Sequence, residues 1–523
     1  MSAGSLARYP HRSPLSGGRV SRAGTLAAPA TAAVAALTML AAVLRFYRLG
    51  HQGFWFDEAN TALLVHFSPG KMLGLIPQSE STPPLYYCVA WVWARVFGYG
   101  EAGLRSLSAV AGVLVVPVAY GVAAKLISRR AGVIVAALTA CNPLLIWYAQ
   151  EARSYELLVL FTGLSLLGFV YARAEPTSRA LAFWTVASAL ALATHYYAVL
   201  AIVPQAAVLL AERRTERRVQ AAVGIVAVCG LALIPLAISQ NGTGNDRWIA
   251  AAAFGQRLRQ IVPQFLIGTD APDRALLKYA AMALALIALG ALATQARPGE
   301  RRPALTAGGL AIGGFVLSLV LVAVGFDDLI TRNIIALWLP AAVLVAGGLA
   351  VARPRAIGIG VTVALCAIGV TATAGIAADR SLQRPDWRYV ARALARGGAD
   401  SAPVRQRAIL IQHYRTLLPL SLYIPHLAVM PAAGARVTEL DVISMTAPQQ
   451  PLCWWGAACN LIPSRMQRRY DIPGFHPVWR RQVLQFTIMR LVSDRPVRLT
   501  PADVSRALRT TTLRRDGLMV QRG

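Results

Sequence analysis

The sequence predicts a polytopic α-helical membrane protein with a small α/β domain at its C-terminal end. Three observations carry that expectation. The 523 residues are 56% hydrophobic and 15% charged, with a mean hydropathy of +0.50, too apolar for a water-soluble chain of this length. Long apolar segments recur between residues 26 and 377. From residue 378 onward they give way to short strand-like and helical stretches, the pattern of a small mixed domain.

Residues 1–25 are rich in Ser, Gly, Arg and Pro and read as a disordered cytoplasmic tail. The apolar run that follows is longer than a signal-peptide core and lacks a clean cleavage site, so it reads as a retained first span. A window of about 20 residues marks about eleven apolar segments in all. They lie near 26–46, 103–124, 131–149, 155–172, 180–194, 196–211, 220–239, 275–294, 304–324, 332–350 and 356–377. Segments 48–102 and 240–274 form longer loops. In the first, a stretch from Glu58 to Phe67 ends at Ser68-Pro69-Gly70, a breaker cluster. Thr82-Pro83-Pro84 opens a second stretch, Leu85 to Phe97, with Pro preset for a first helical turn. Its aromatic density suits a helix lying in the membrane interface. In the domain 378–523, the runs 408–411 and 484–488 read as strands, and 386–396 and 501–509 as helices. No Gly-rich phosphate loop or nucleophile motif is visible there.

The net charge is +28, carried almost wholly by Arg; the lysines are Lys71, Lys125 and Lys278. With abundant Ala and Gly this reads as the coding bias of a GC-rich bacterium. So little water-facing surface excludes a nucleic-acid binder, whereas basic loops suit anionic membrane lipids. One set of loops holds Lys125, Arg129, Arg130, Arg173, Arg179, Arg213, Arg214, Arg217, Arg218, Arg297, Arg301, Arg302, Arg353 and Arg355. The positive-inside rule places these in the cytoplasm of a bacterial plasma membrane. The Asp57-Glu58 loop, the turn 150–153, His195, loop 240–274, Arg332 and the domain 378–523 then face outward. That domain is itself Arg-rich, but long domains translocate largely regardless of charge.

The span interiors hold almost no ionisable side chains; Arg105, Glu156, Lys278 and Arg332 lie at their outer ends. An ion-coupled transporter usually needs such groups near the midplane. Polar residues gathered at one face suit an enzyme working at the outer lipid–water boundary. The strongest feature there is the acidic pair in Trp55-Phe56-Asp57-Glu58-Ala59. On a helix, neighbouring side chains point about 100° apart, so one of the two can aim at a reacting atom. Asp57 is the expected general base, with Glu58 orienting it or pairing with an Arg. The competing reading makes Asp57 a helix N-cap.

These motifs together resemble the GT-C glycosyltransferases, in particular family 39-like bacterial enzymes related to protein O-mannosyltransferases and lipid A aminoarabinose transferases. Leu44-Arg45-Phe46-Tyr47-Arg48-Leu49-Gly50 followed by Trp55-Phe56-Asp57-Glu58-Ala59 is similar to the family's first outer motif. Pro83-Pro84-Leu85-Tyr86-Tyr87 is similar to its proline-pair motif. Gln150-Glu151-Ala152-Arg153-Ser154-Tyr155, Thr194-His195-Tyr196-Tyr197 and Arg384-Pro385-Asp386-Trp387-Arg388 are similar to later ones. Two positions depart from the family: Thr82 stands where relatives often carry His, and Asn333 where Tyr often follows the Arg.

The resemblance implies a GT-C type fold. It implies inverting transfer of a hexose or pentose from a polyprenyl-phosphate donor to a lipid, polysaccharide or protein acceptor outside the cytoplasm. Asp57 and Glu58 are then the catalytic pair, and Arg153 and Arg332 bind the donor phosphate. Glu151, Tyr155, His195, Tyr196, Asp386 and Arg388 support them, with Glu151 expected to hold Arg153 or help bind a cation. A divalent metal ion stays open, with Glu80 its weak candidate. The alternative function is a transporter or flippase of lipid-linked sugars, and a third reading is a non-catalytic scaffold. Cys453 and Cys459 bound a short loop in the outer domain that is either closed by a disulfide or carries two free thiols.

Overall fold

The computed structural model describes residues 27–244, 247–396, 406–411, 417–445, 472–484, 486–507 and 517–522. The expected tail 1–25 and both Cys453 and Cys459 lie outside them.

Among the described residues, seven helices are long and apolar enough to cross a membrane. The first helix, α1 (Ala27–Phe46), is followed by three short ones in the first loop: α2 (Phe56–Leu64), α3 (Pro69–Ser79) and α4 (Leu85–Phe97). Then come α5 (Glu101–Leu126), α6 (Arg129–Cys141), α7 (Pro143–Ala149), α8 (Tyr155–Ala174), α9 (Ser178–Thr194) and α10 (Val199–Arg213). Next are α11 (Arg217–Ala232), α12 (Ile234–Asn241), α13 (Arg247–Ala251) and α14 (Phe254–Ile267). The membrane part closes with α15 (Arg274–Gln295), α16 (Pro298–Ala323), α17 (Trp338–Val351) and α18 (Arg355–Ala378).

The expected count of about eleven spans is resolved more finely. The helices α6 and α7 pass the length test only as one broken span bent by 56°, which raises seven to eight. Residues 30–46 and 178–194, and Ile335–Val351, are apolar but shorter. A hydropathy window reads composition; it does not see where a helix stops.

The break in the bent span has a local cause. The Asn142 side chain accepts a hydrogen bond from Leu145 N–H at 3.1 Å, and Pro143 occupies the first turn of α7, a helix-start signature. The bend delivers the 150–154 turn beside the first loop. The break expected at Ser68-Pro69-Gly70 is also a start: α2 ends at Leu64, and Ser68 stands at the N-cap of α3 with Pro69 at its first position, where a missing N–H costs nothing.

The main core packs α5, α6, α8, α9 and α17 through residues such as Val115, Leu158, Phe169, Trp184 and Val343. Gly168 is required there: a Cβ would lie 2.8 Å from Trp184 Cα. Arg45, at the end of α1, is fully buried and donates to Thr139 O and Ala140 O, the last carbonyls of α6. A cation there complements the helix C-terminus.

The C-terminal domain carries α19 (Trp387–Arg396), β1 (Arg407–Ile411), α20 (Leu417–Ser421), β2 (Leu427–Val429), β3 (Ala435–Met445), β4 (His476–Val483), β5 (Phe486–Leu499), α21 (Pro501–Ala507) and β6 (Leu518–Gln521). The six strands run β2-β6-β1-β3-β5-β4, with β1 and β3 parallel and the other pairs antiparallel. Period-2 alternation sends Ala408, Leu410, Leu440 and Val442 to one core, and Ile409, Ile411 and Ile443 to a second beneath α19.

Candidate active site

The first loop is held from both sides. From the membrane side comes Arg105, in the second turn of α5. Its Nη1 donates to Leu49 O and Gln52 O at 3.0 and 2.9 Å, and Nη2 to Gly53 O at 3.0 Å. From the other side comes the C-terminal domain. Asp386 accepts from Gly53 N–H and Tyr389 N–H, both at 3.1 Å. Arg388 donates to His51 O at 2.6 Å and pairs with Glu101 at 3.2 Å. Tyr423 Oη accepts from Phe54 N–H at 2.6 Å and donates to Glu101 at 2.9 Å. Gly53 allows this approach; a Cβ would meet Asp386 Oδ1 at 2.6 Å.

The acidic pair emerges from this clamp and divides. Glu58 is fully buried. Its oxygens accept from Arg105 Nε and Nη2 at 2.7 and 2.6 Å, Ala152 N–H at 2.8 Å and Trp55 N–H at 3.3 Å. Burial alone would push its pKa up; the Arg105 guanidinium outweighs that and holds it below the usual carboxylate range. Both Glu58 oxygens are thus engaged by the protein itself. Asp57 points elsewhere. The N-cap of α2 is Trp55, so Asp57 is not the cap. Its Oδ2 accepts from Arg332 Nη1 at 3.1 Å, and it keeps partial exposure.

Arg332 opens onto a cavity of about 190 Å³. Its guanidinium lies 5.1 Å from the Trp248 ring and 5.8 Å from the Tyr155 ring. Trp55, Trp147, Tyr148 and Trp248 form aromatic walls, and Glu151, Asp270 and Arg384 also line the space. Arg384 pairs with Glu151 at 2.9 Å and stacks over Trp147 at 4.0 Å. Burial raises the Glu151 carboxyl to about 6 even with Arg384 beside it. Five buried atoms of cavity-lining residues have no hydrogen-bond partner among the described residues: the acceptor Glu151 Oε1, and Trp55 Nε1, Thr269 Oγ1, Arg332 Nε and Arg384 Nε.

The expected Glu151–Arg153 association is replaced by a different pairing. Arg153 turns to Glu80 at 2.9 Å and also donates to Asp57 O at 3.3 Å. Glu80 further accepts from Asn60 Nδ2 at 2.6 Å. Glu151 and Arg153 leave the turn 150–154 in different directions. Arg153 therefore stands behind Asp57 rather than facing the cavity, and Glu80 is spent on ion pairing. Among the described residues no group of three or more His, Cys, Asp and Glu side chains could hold a metal ion.

His195 is buried and its Nδ1 accepts from Tyr197 N–H at 3.2 Å. Burial, with Arg153 and Arg332 nearby, lowers its pKa to about 3. It is therefore neutral at ordinary pH, with the ring proton on Nε2. Its ring lies 5.7 Å from that of Tyr155. Tyr196 Oη donates to Gln240, which in turn donates to Ile76 O and Thr82 O; it braces the first loop. Sequence reasoning passed over Arg105, Trp248, Asp270 and Arg384 as site residues. Arg384 headed one of the motifs; the others carried no local signal beyond lying in outer segments.

A family model described as dolichyl-phosphate-mannose-protein mannosyltransferase matches residues 81–239. No curated protein matches the chain. Among solved structures, ArnT from Cupriavidus metallidurans bound to undecaprenyl phosphate aligns with a TM-score of 0.53 at 15% identity, covering 88% of this chain and 98% of that one. This is the GT-C glycosyltransferase fold. The apo state of the same ArnT aligns equally well. The oligosaccharyltransferase of Archaeoglobus fulgidus aligns at 12% identity and a TM-score of 0.44, covering 71% of this chain and 58% of that one. Within the GT-C fold of this chain, Asp57, Arg332, Glu151 and Arg384 meet at one end of the helical bundle.

Proposed function

We propose that the protein is an inverting glycosyltransferase that moves a sugar from a polyisoprenyl-phosphate donor to a hydroxyl acceptor at the outer face of a bacterial plasma membrane. The observation that carries this reading is the Asp57–Arg332 pair at 3.1 Å, set against an aromatic-walled cavity with a second guanidinium, Arg384, on its lining. A lipid-linked donor keeps its tail in the bilayer and its phosphate at the interface. A site at the end of an apolar bundle meets both needs.

Mechanistically, Asp57 takes the proton of the acceptor hydroxyl as that oxygen attacks the anomeric carbon. The bond from that carbon to the phosphate oxygen breaks on the opposite side, which inverts the centre. The leaving lipid phosphate gains charge, and the Arg332 fork stabilises it, with Arg384 close by. Arrival of that phosphate gives Arg332 a second anionic partner and loosens its hold on Asp57. Base catalysis of this kind contributes about 10²–10⁴. Glu58, Arg105, Arg153 and Glu80 hold the first loop so that Asp57 stays in place. The family model match and the ArnT complex with undecaprenyl phosphate support the donor class.

The test is transfer by purified protein from a panel of polyprenyl-phosphate sugars, comparing wild type with Asp57→Asn. Equal transfer by both would sink the base assignment. Absence of transfer from every donor, with translocation of lipid-linked sugar in vesicles, would replace the transferase by a flippase.

A further inference from the structure

The cavity beside Arg332 contains polar groups that base catalysis and phosphate binding leave unused. Glu151 is fully buried, and Arg384 takes its Oε2 while Oε1 has no hydrogen-bond partner among the described residues. A buried acceptor without a donor is unfavourable, so this oxygen is set to receive a donor from a bound molecule. The second group is Asp270, on the loop after α14. The three guanidiniums of the cavity lining are each committed: Arg257 to Asp327, Arg332 to Asp57 and Arg384 to Glu151. Asp270 is the lining carboxylate with no close ion pair among the described residues; the adjacent Thr269 hydroxyl can fill part of its acceptor capacity, and the Arg274 and Arg384 charges lie farther off.

A phosphate does not fit these two acceptors, because carboxylates repel an anion and have no proton to offer it. A sugar ring fits. Its C–H face is apolar and packs on aromatic walls, here Trp147, Tyr148 and Trp248; its rim is lined with O–H donors. Pockets of this kind fix orientation with a few placed polar groups on an apolar wall. The charge is also divided. Arg332 is paired with Asp57, the base, while Asp270 is a separate lining group on the loop after α14. A glycosyl phosphate has the matching polarity, anionic at one end and hydroxylated at the other.

We propose that Glu151 Oε1 and Asp270 accept hydrogen bonds from the hydroxyls of the transferred sugar and so read which sugar the donor carries. This rests on the glycosyltransferase reading and adds the part of the site that discriminates. A wall built to hydrogen-bond hydroxyls rejects a ligand that lacks them, because its own polar groups are then left unpaired.

The experiment measures binding of two lipids to wild type, Asp270→Ala and Glu151→Gln. One lipid is bare undecaprenyl phosphate; the other is undecaprenyl phosphate bearing a neutral hexose, a neutral pentose or an amino pentose. The readout is the ratio of affinities, glycosylated over bare. Asp270→Ala is expected to lower that ratio by about tenfold or more for a neutral sugar, and Glu151→Gln to lower it in the same direction. A variant that misfolds loses both lipids together and leaves no ratio; retained bare-lipid binding therefore certifies the fold, and Asp270→Asn provides a milder second substitution. An unchanged ratio in all three variants overturns the proposal. A drop confined to the amino pentose overturns the hydroxyl assignment in favour of an ammonium partner. If wild type neither binds nor transfers from any glycosylated lipid, the transferase reading falls, and that outcome is read from wild type alone.

Discussion

The two ends of the Asp57-Glu58 pair open onto regions built from the same chemistry and used differently. On one side is a closed knot, Glu58–Arg105 and Glu80–Arg153, in which each acid is at most 3% exposed and each Arg at most 9%. On the other is the cavity rim: Asp57–Arg332 is about a fifth exposed and Glu151–Arg384 is as buried as the knot, but the guanidiniums of both pairs line a cavity. A carboxylate whose acceptor sites are filled is a fastener; one with an oxygen to spare can receive a ligand. Glu58 accepts four hydrogen bonds from the protein; Glu151 leaves one oxygen unpartnered among the described residues.

The strongest way to break this comparison is to cut the knot. Glu58→Ala leaves the Arg105 charge buried and its neighbours unclamped, an expected loss of about 3–5 kcal/mol. Thermal unfolding in detergent should show it, with transfer lost alongside. A wild-type unfolding temperature would erase the distinction between the regions. Asp57→Asn is the converse. Transfer should fall by about 10²–10⁴ while stability stays within about 0.5 kcal/mol of wild type. A large loss of stability would move Asp57 into the knot.

How much of this was legible in the sequence differs between the two regions. That Asp57 and Glu58 point to different partners was readable because neighbouring positions on a helix cannot share a direction. The partners were not. Arg105 is 47 residues from Glu58 and Arg332 is 275 from Asp57, and no local pattern encodes such distances. Glu151 and Arg153 invited a pairing because they are close in sequence, but the turn between α7 and α8 sends them to Arg384 and Glu80 instead. The α/β character of the last domain was visible in short strand-like runs alternating with helical stretches; that it clamps residues 50–54 through Asp386, Arg388 and Tyr423 was not. Pro69 misled in a different way, since a helix breaker in mid-run is also a helix starter at the first turn.

A weaker cut tests whether the knot is graded. Glu80→Gln keeps a carbonyl for Asn60 and Arg153 but removes the charge opposite Arg153. The expected loss is about 1–2 kcal/mol, with transfer reduced only a few-fold through the Arg153 bond to Asp57 O. A loss as large as that of Glu58→Ala would show that Glu80, not Glu58, anchors the loop.

The smallest effect separates the two regions by pH alone. Burial raises the folded-state pKa of Glu151 from 4.5 to about 6, whereas Glu58 is held below its ordinary value. For Glu151 the folded state binds the proton more tightly than the unfolded chain. As pH falls through about 6 toward about 4.5, protonation therefore favours the folded state while removing the charge that faces Arg384. For Glu58 the sign is opposite: its contribution is intact above its ordinary pKa and is lost only as pH falls below it, through the lower folded value. Acidifying from about pH 7 to about pH 5 should thus reduce transfer by way of the rim while leaving the knot closed. The check is kcat/KM against pH beside unfolding temperature over the same range. Glu151→Gln should lose the acid limb near pH 6 and keep the rest of the profile. If activity and stability instead fall together, the knot is titrating in that window and the open–closed distinction fails.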